Sequence, residues 1–343
     1  MSKTIYYMGA GASYGKRDRT KSIIEGIPIV AEIPIQIARF RDYIAKAEIP
    51  VSGYTPFQGK YQRANSDIER SRQELLSDID GMMTGIKEHA TIDTFARKLF
   101  LTGQKRQFNR LKDVLCAFFV WTQLIYKPDG RYDAFFANVL QEGTLALPKE
   151  LSIISWNYDS QLETAYKVYN RTGYLPVFEK NIRGTWPDLP LSGRVFKING
   201  SATFVDKPVV EIIKEDEKMT VPMQLIEFYH NAHVDTSDLG VDFTTHLSFA
   251  WEDSNNKENM HAALKETTSD TEIVVVIGYS FPFFNRVTDR QLFSGMPSLR
   301  RVYVQDINPE AVVQSIQGVL PAGRKIEVIP IRECSQFYLP SEL

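Results

Sequence analysis

Hydrophobic spacing along the chain changes from strand-like to helix-like and back. Thr4–Met8 is a short apolar, aromatic run leading straight into Gly9-Ala10-Gly11-Ala12-Ser13, and it reads as a strand ending in a tight turn. Ile27–Ala47 reads as a helix, with Pro28 acceptable in its first turn and Pro34 an interior residue that would kink it. Residues 51–65 are rich in Gly, Pro, Gln and Tyr and read as a loop. From Asp67 to about Leu140 the pattern is helical, with Leu111, Val114, Leu115, Phe118 and Phe119 on one face. Thr91 followed by Asp93 marks a helix start inside that stretch. Strand character returns at Leu151–Trp156, Arg194–Ile198, Glu272–Ile277, Arg301–Val304 and Lys325–Ile329. An unbroken apolar run such as Ile273–Ile277 suits a strand buried on both faces, as in a parallel sheet. Between Asp206 and Asp270 a charged segment holds four of the five histidines. The pattern predicts one open α/β domain over residues 1–343, interrupted by a helical insertion at 48–145 and a smaller mixed one at 205–265.

Composition narrows the function classes. The 343 residues are 43% hydrophobic and 24% charged, ordinary values for a globular chain. Forty basic residues against 42 acidic ones exclude a broadly basic nucleic-acid binder, so any contact with nucleic acid is expected only through a partner. Cys116 and Cys334 cannot supply a four-thiolate zinc site, and so low a count suits a reducing compartment. The N-terminal residues lack the apolar run of a signal peptide, and no stretch is long and apolar enough for a membrane span. A cytoplasmic protein without membrane association is expected.

Five polar segments follow strand candidates. Glycines in Gly9–Ser13 would let the backbone approach a pyrophosphate, but the dinucleotide fingerprint is incomplete and a plain tight turn fits equally well. Glu32 stands near the distance of a ribose-binding acid, yet its surroundings read as helix. Asn157 and Asp159 end the strand at Leu151–Trp156, where an α/β sheet places its ligands, though both could simply cap a helix beginning near Gln161. Lys197-Ile198-Asn199-Gly200-Ser201 and Gly278-Tyr279-Ser280-Phe281 end two more strands, and Asp306-Ile307-Asn308-Pro309 leads into a helix that Asn308 could cap. His230 and His233, with Asp235 nearby, have helical metal-ligand spacing but no evident third ligand, and satisfied histidines are far commoner. Lys214–Lys218 reads as a solvated charged face, and the aromatics of 118–136 as core.

The order of these segments is more specific than any one of them. A glycine loop, an Asn-x-Asp, an x-x-Gly-Ser, a Gly-x-Ser and an Ile-Asn-Pro follow the motif series of the sirtuin superfamily, and the sequence resembles its branch found in bacterial antiphage defence proteins. Gly9, Ala10, Gly11, Ala12 and Ser13 resemble the family's loop over the NAD phosphates. Asn157 and Asp159, with Leu162 and Glu163, resemble its Asn-Tyr-Asp-x-x-Leu-Glu. Gly278, Tyr279 and Ser280, with Phe281, resemble its late loop at the nicotinamide-ribose and adenosine side, and Ile307 and Asn308 its adenosine-ribose segment. The motifs are specific, while the rest of the chain is covered only loosely.

The resemblance implies a Rossmann-like, doubly wound, mostly parallel sheet of the sirtuin type. It implies hydrolysis of the nicotinamide–ribose bond of NAD+, in defence by NAD+ depletion. Gly9–Ser13 would hold the phosphates, Asn157 and Asp159 would orient the nicotinamide ribose or the attacking water, and Ser280 and Asn308 would contact the sugars. It also implies self-assembly and, in some systems, pairing with a HerA-type ATPase. Two departures stand out. Asn199 occupies the position of the family's catalytic histidine, and the paired cysteines of deacylating members are absent, so neither a protein deacylase nor a resident metal is expected. Asn199 favours a rival reading: a catalytically weak NAD- or ADP-ribose-binding scaffold or regulatory subunit. A nuclease component is a third reading, without a convincing metal cluster behind it.

Overall fold

The computed structural model describes residues 3–18, 23–49, 65–171, 175, 177–179, 195–203, 220–233, 245–252 and 257–343. Residues 51–64 of the sequence-read loop, Lys214–Lys218 and Asp235 lie outside the described residues. The chain divides into two compact units, one of residues 1–27, 126–201 and 248–343, the other of 28–125 and 202–247.

The first unit holds a seven-stranded, all-parallel sheet. Its strands are β1 (Thr4–Met8), β4 (Leu151–Ser155), β5 (Val177–Glu179), β6 (Val195–Lys197), β7 (Ile273–Ile277), β8 (Arg301–Gln305) and β9 (Glu327–Ile331), in the order β5-β6-β4-β1-β7-β8-β9. Two-residue strands β2 (Arg17–Asp18) and β3 (Ile23–Ile24) pair separately as a small antiparallel ribbon. The chain leaves β1 toward one edge, returns, and crosses to β7 on the other side of β1. That reversal is the topological switch point of a Rossmann-like α/β fold, where open parallel sheets bind ligands.

Alternation along each strand separates two cores. Tyr6, Met8, Ile153 and Val275 join α5 (Gly130–Val139) and α6 (Gln161–Tyr169) through Tyr132, Phe136, Leu162 and Tyr166. Ile5, Tyr7, Ile154, Val274 and Val276 join α8 (Lys257–Thr268), α9 (Arg286–Ser294) and α10 (Pro309–Gln317) through Met260, Leu264, Phe293 and Ile316. Both faces of the sheet are covered, which is why β1, β4 and β7 are buried without a break. Short β5 is absent from the sequence reading, and β9 starts two residues later than expected. As an edge strand, β9 is half-exposed and tolerates Pro330.

The second unit is helical: α1 (Ile33–Ala45), α2 (Asn65–Lys87), α3 (Ile92–Leu101), α4 (Lys105–Ile125) and α7 (Val221–Asn231). The expected helix over Ile27–Ala47 begins only at Ile33, after a 3-10 turn at Val30–Glu32. Pro34 therefore lies in the first turn, where its missing N–H costs no hydrogen bond, and it kinks nothing. Thr91 caps α3 by accepting from the Thr94 amide. The apolar face read on α4 is buried, and so are Cys116, Ala117, Val120 and Trp121, because α4 packs against α2, α3 and α7. By sequence α5 belongs to the helical stretch 48–145, but its Tyr132, Phe135 and Phe136 pack in the sheet's own core. Among the described residues, no helix is long and apolar enough to cross a membrane.

Candidate functional site

Strand register places the candidate residues at one edge. Met8 pairs with Ser155 and Ile277, Ser155 with Lys197, and Ile277 with Gln305. The strands thus end flush, and the loops at 9–13, 156–160, 198–201, 278–281 and 306–308 emerge side by side at their carboxyl ends. Ladder bonds continue into these loops: Trp156 N to Met8 O at 2.9 Å, Gly9 N to Ile277 O at 3.0 Å, Ile198 N to Ser155 O at 3.0 Å.

After β1 the chain winds into a single 3-10 turn, Ala10–Ser13. Gly11 donates its amide to Gly278 O at 2.9 Å, which locks the first loop onto the one following β7. The glycines at this crossing serve the approach of two backbones, a purpose that the motif alone does not distinguish from an approach to phosphate.

Ser13 is the centre of a buried polar cluster. Its Oγ donates to Asp159 Oδ1 at 3.0 Å, lies 2.9 Å from the Tyr132 hydroxyl, and receives Asn157 Nδ2 at 3.3 Å. Asp159 Oδ1 also accepts from the amide of Gln161, the first residue of α6, at 3.0 Å, although the N-cap position itself is Ser160. Lys197 Nζ donates to the Asp159 carbonyl at 2.5 Å and pairs with Glu163 at 2.9 Å. Its side chain is only 1% exposed, so both partners are needed to offset the loss of hydration. Burial pushes the Asp159 carboxyl up; Lys197, the Gln161 amide and Ser13 pull the other way without cancelling it. Beside these groups lies a cavity of about 10 Å³, room for one water, lined by Ser155, Asn157, Asp159, Glu163, Lys197 and Tyr132 among others.

Asn199 is buried at 7% exposure. Its Nδ2 donates to Trp156 O at 3.1 Å, and its Oδ1 has no hydrogen-bond partner among the described residues. A buried carbonyl left without a donor is costly, so a hydroxyl or water at this position would be stabilised.

The structure therefore joins Ser13, Asn157, Asp159 and Asn199 through direct bonds and one shared loop. Ser280 and Asn308 are exposed on the neighbouring loops, and among the described residues no hydrogen bond links their side chains to the cluster. Tyr279 turns inward, its ring stacked on Trp156 at 5.3 Å between centroids. His230 and His233 take separate protein partners within the helical unit, Ser71 at 2.8 Å and Asp113 at 2.9 Å.

Sequence reasoning passed over three contributors. Tyr132 reaches Ser13 from α5. Arg131, at the start of α5, donates Nη2 to Gly11 O at 2.9 Å and Ala12 O at 3.2 Å. Asp129 holds that guanidinium at 2.7 Å, caps α5, and accepts the Gly15 amide at 3.1 Å. Burial raises the Asp129 carboxyl, but the bonds from Arg131 and the amides outweigh it and leave it below the usual range. Asp129 followed two residues later by Arg131 is a readable helix start, but nothing in the sequence ties it to a loop more than a hundred residues earlier.

No family model matches the chain, and no curated protein matches it.

Proposed function

We propose that the chain binds NAD+ in the crevice at the carboxyl ends of β1, β4, β6 and β7 and hydrolyses its nicotinamide–ribose bond. The observation that carries this reading is the convergence of Gly9–Ser13, Asn157 and Asn199 at the switch point, with the Asn199 carbonyl buried and without a hydrogen-bond partner among the described residues. The motif order described above supports the same substrate. In this reading Asn157 and Asn199 supply hydrogen bonds to ribose hydroxyls or to the attacking water. Asp159 acts at one remove: its carboxylate holds Ser13 and the start of α6, and its negative charge favours positive charge developing on the sugar. Depletion of NAD+ in antiphage defence, gated by self-assembly or by a HerA-type ATPase, is the biological role that the resemblance suggests.

A second reading has its own observation. Asn199 cannot take a proton at physiological pH, and the Asp159 carboxylate of the same cluster is engaged by Ser13 and the Gln161 amide. A chain that binds NAD+ or ADP-ribose and turns over little, as a scaffold or regulatory subunit, fits that chemistry. Nicotinamide release from NAD+, measured beside calorimetric binding of ADP-ribose, separates the two. Binding with release supports the hydrolase, binding without release supports the scaffold, and absence of both defeats the nucleotide site.

A further inference from the structure

Beneath the Gly278–Phe281 loop, in the core formed with α8, α9 and α10, a carboxyl is buried with no cation paired to it among the described residues. Asp289 of α9 has no exposed surface. The Tyr7 hydroxyl donates to its Oδ1, and the Tyr279 hydroxyl lies 3.2 Å from Oδ1 and 3.1 Å from Oδ2. Asn285 donates Nδ2 to the Tyr279 oxygen at 2.9 Å. The Tyr279 ring lies nearly parallel to Trp156, 8° between planes, and meets Tyr7 edge-on at 5.3 Å. Asp289 is thus one hydroxyl away from the loop after β7, and one ring further from the residue that precedes Asn157.

The groups facing Asp289 are few. β1 contributes Tyr7, the loop after β7 contributes Tyr279, and the turn before α9 contributes Asn285. α8 brings Met260 and Leu264 to this core, and α9 itself Leu292 and Phe293. Among the described residues neither arginine of α9 pairs with Asp289: Arg286 lies over the Phe283 ring at 5.5 Å, and Arg290 donates to Gly318 O at 3.0 Å. Packing alone would be served by an asparagine at this site, which accepts from tyrosine without the cost of a buried charge.

We propose that Asp289 is a proton-dependent positioning residue for the Gly278–Phe281 loop and, through Tyr279 and Trp156, for the Asn157 turn. The proposal rests on the reading that this crevice takes a dinucleotide. An ionised carboxylate accepts from both tyrosine hydroxyls, the arrangement seen here. A protonated one has one acceptor oxygen fewer for the two hydroxyls and turns a donor toward Tyr279, whose oxygen already receives Asn285, so the contact rearranges. Burial pushes the Asp289 carboxyl up to about 7, with the two tyrosines pulling the other way, so both forms are populated near neutral pH. Burial and the adjacent Asp289 push the Tyr7 hydroxyl well up, so it remains a donor throughout.

The test uses the full chain from about pH 6 to about pH 8, with ADP-ribose as the probe and tryptophan emission as an independent readout. Wild-type emission should change with a midpoint near 7, and Trp156→Phe should remove that change. Asp289→Asn, which imitates the protonated acid, should also remove it. ADP-ribose affinity should be several-fold tighter at the alkaline end in the wild type and flat in Asp289→Asn. If that variant does not fold, Tyr279→Phe should give the same loss of pH dependence. No emission step, a step that persists in Asp289→Asn or Tyr279→Phe, or an affinity independent of pH overturns the proposal. Absence of ADP-ribose binding at every pH overturns the nucleotide reading instead, and the emission titration then still decides whether Asp289 positions the loop.

Discussion

Gly11 and Gly278 meet backbone to backbone. A Cβ on Gly11 would lie 2.6 Å from Gly278 Cα, and one on Gly278, where φ is +57°, would lie 2.4 Å from Gly11 Cα. Each glycine is demanded by the other, whatever the loops bind.

Substitution at this crossing should therefore cost stability as well as binding. Gly278→Ala is expected to lose about 1–2 kcal/mol from the left-handed backbone, before the clash with Gly11 is counted. Gly11→Val should shift the denaturant midpoint down and abolish ADP-ribose binding together. A Gly11→Val protein with an unchanged midpoint would contradict the packing role.

Arg131 offers a way to weaken the same loop without a clash. Arg131→Met uncaps the carbonyls of Gly11 and Ala12 and leaves Asp129 without its guanidinium. Hydrogen bonds to a charged group are worth about 1.5–3 kcal/mol each, so a tenfold or greater loss of ADP-ribose affinity is expected. Arg131→Lys keeps the charge but not the fork, and should recover only part of it. Equal affinity in all three proteins, by calorimetry, would show that the clamp does not set the loop.

How far the chain could be read follows from what each residue needs. The strands at Thr4–Met8 and Ile273–Ile277 were legible because burial on both faces leaves them almost entirely aliphatic or aromatic. The polar segments were legible because each follows such a strand. Arg131, Tyr132 and Asp289 were not: a helical period says which face is buried and nothing about a loop from a distant strand. Pro34 was misplaced for a local reason, since apolar spacing runs continuously through the 3-10 turn ahead of α1. Whether Gly11 faces a phosphate or another glycine is a tertiary question that one glycine motif cannot answer.

Asp159 carries a pH signature. Its carboxyl is raised by burial, so folding takes up a proton at pH values between the ordinary carboxylate range and the raised value. Stability tied to this group is full at acid pH and falls as pH rises across that interval. Asp159→Asn keeps an acceptor for Ser13 and the Gln161 amide, and Lys197 keeps the main-chain carbonyl and Glu163. The variant should fold, with its stability relative to wild type improving from acid toward neutral pH. A difference that is flat or opposite in sign in urea melts would refute the assignment.

His230 of α7 and His233, two residues beyond its end, should behave as structural residues. His233 lies between Asp113 at 2.9 Å and the Tyr229 carbonyl at 2.7 Å. His233→Ala leaves the Asp113 carboxyl buried without this partner, an expected loss of about 1–3 kcal/mol. Added zinc should neither raise the melting temperature of the wild type nor rescue the variant. Zinc-dependent stabilisation lost in both His230→Ala and His233→Ala would restore a metal reading.

Asn199 separates enzyme from scaffold. Its Nδ2 bond to Trp156 O can be kept by an imidazole N–H, so Asn199→His is expected to fold with the side chain anchored on the same carbonyl. The other ring nitrogen would then lie one atom further out than the amide group and could take a proton near neutral pH. A general base is worth about 10²–10⁴ in rate, and the substitution should restore a share of that while leaving ADP-ribose affinity within a few-fold. The wild type is expected to release nicotinamide slowly, or only in assembly with a partner, and Asn157→Ala should abolish release by removing both the amide and its hold on Ser13. Release should rise in Asn199→His with a new acid limb in its pH profile, the signature of an imidazole acting as base. Folded Asn199→His that binds ADP-ribose and releases no nicotinamide in any assembly state would leave binding, without hydrolysis, as the property of this crevice.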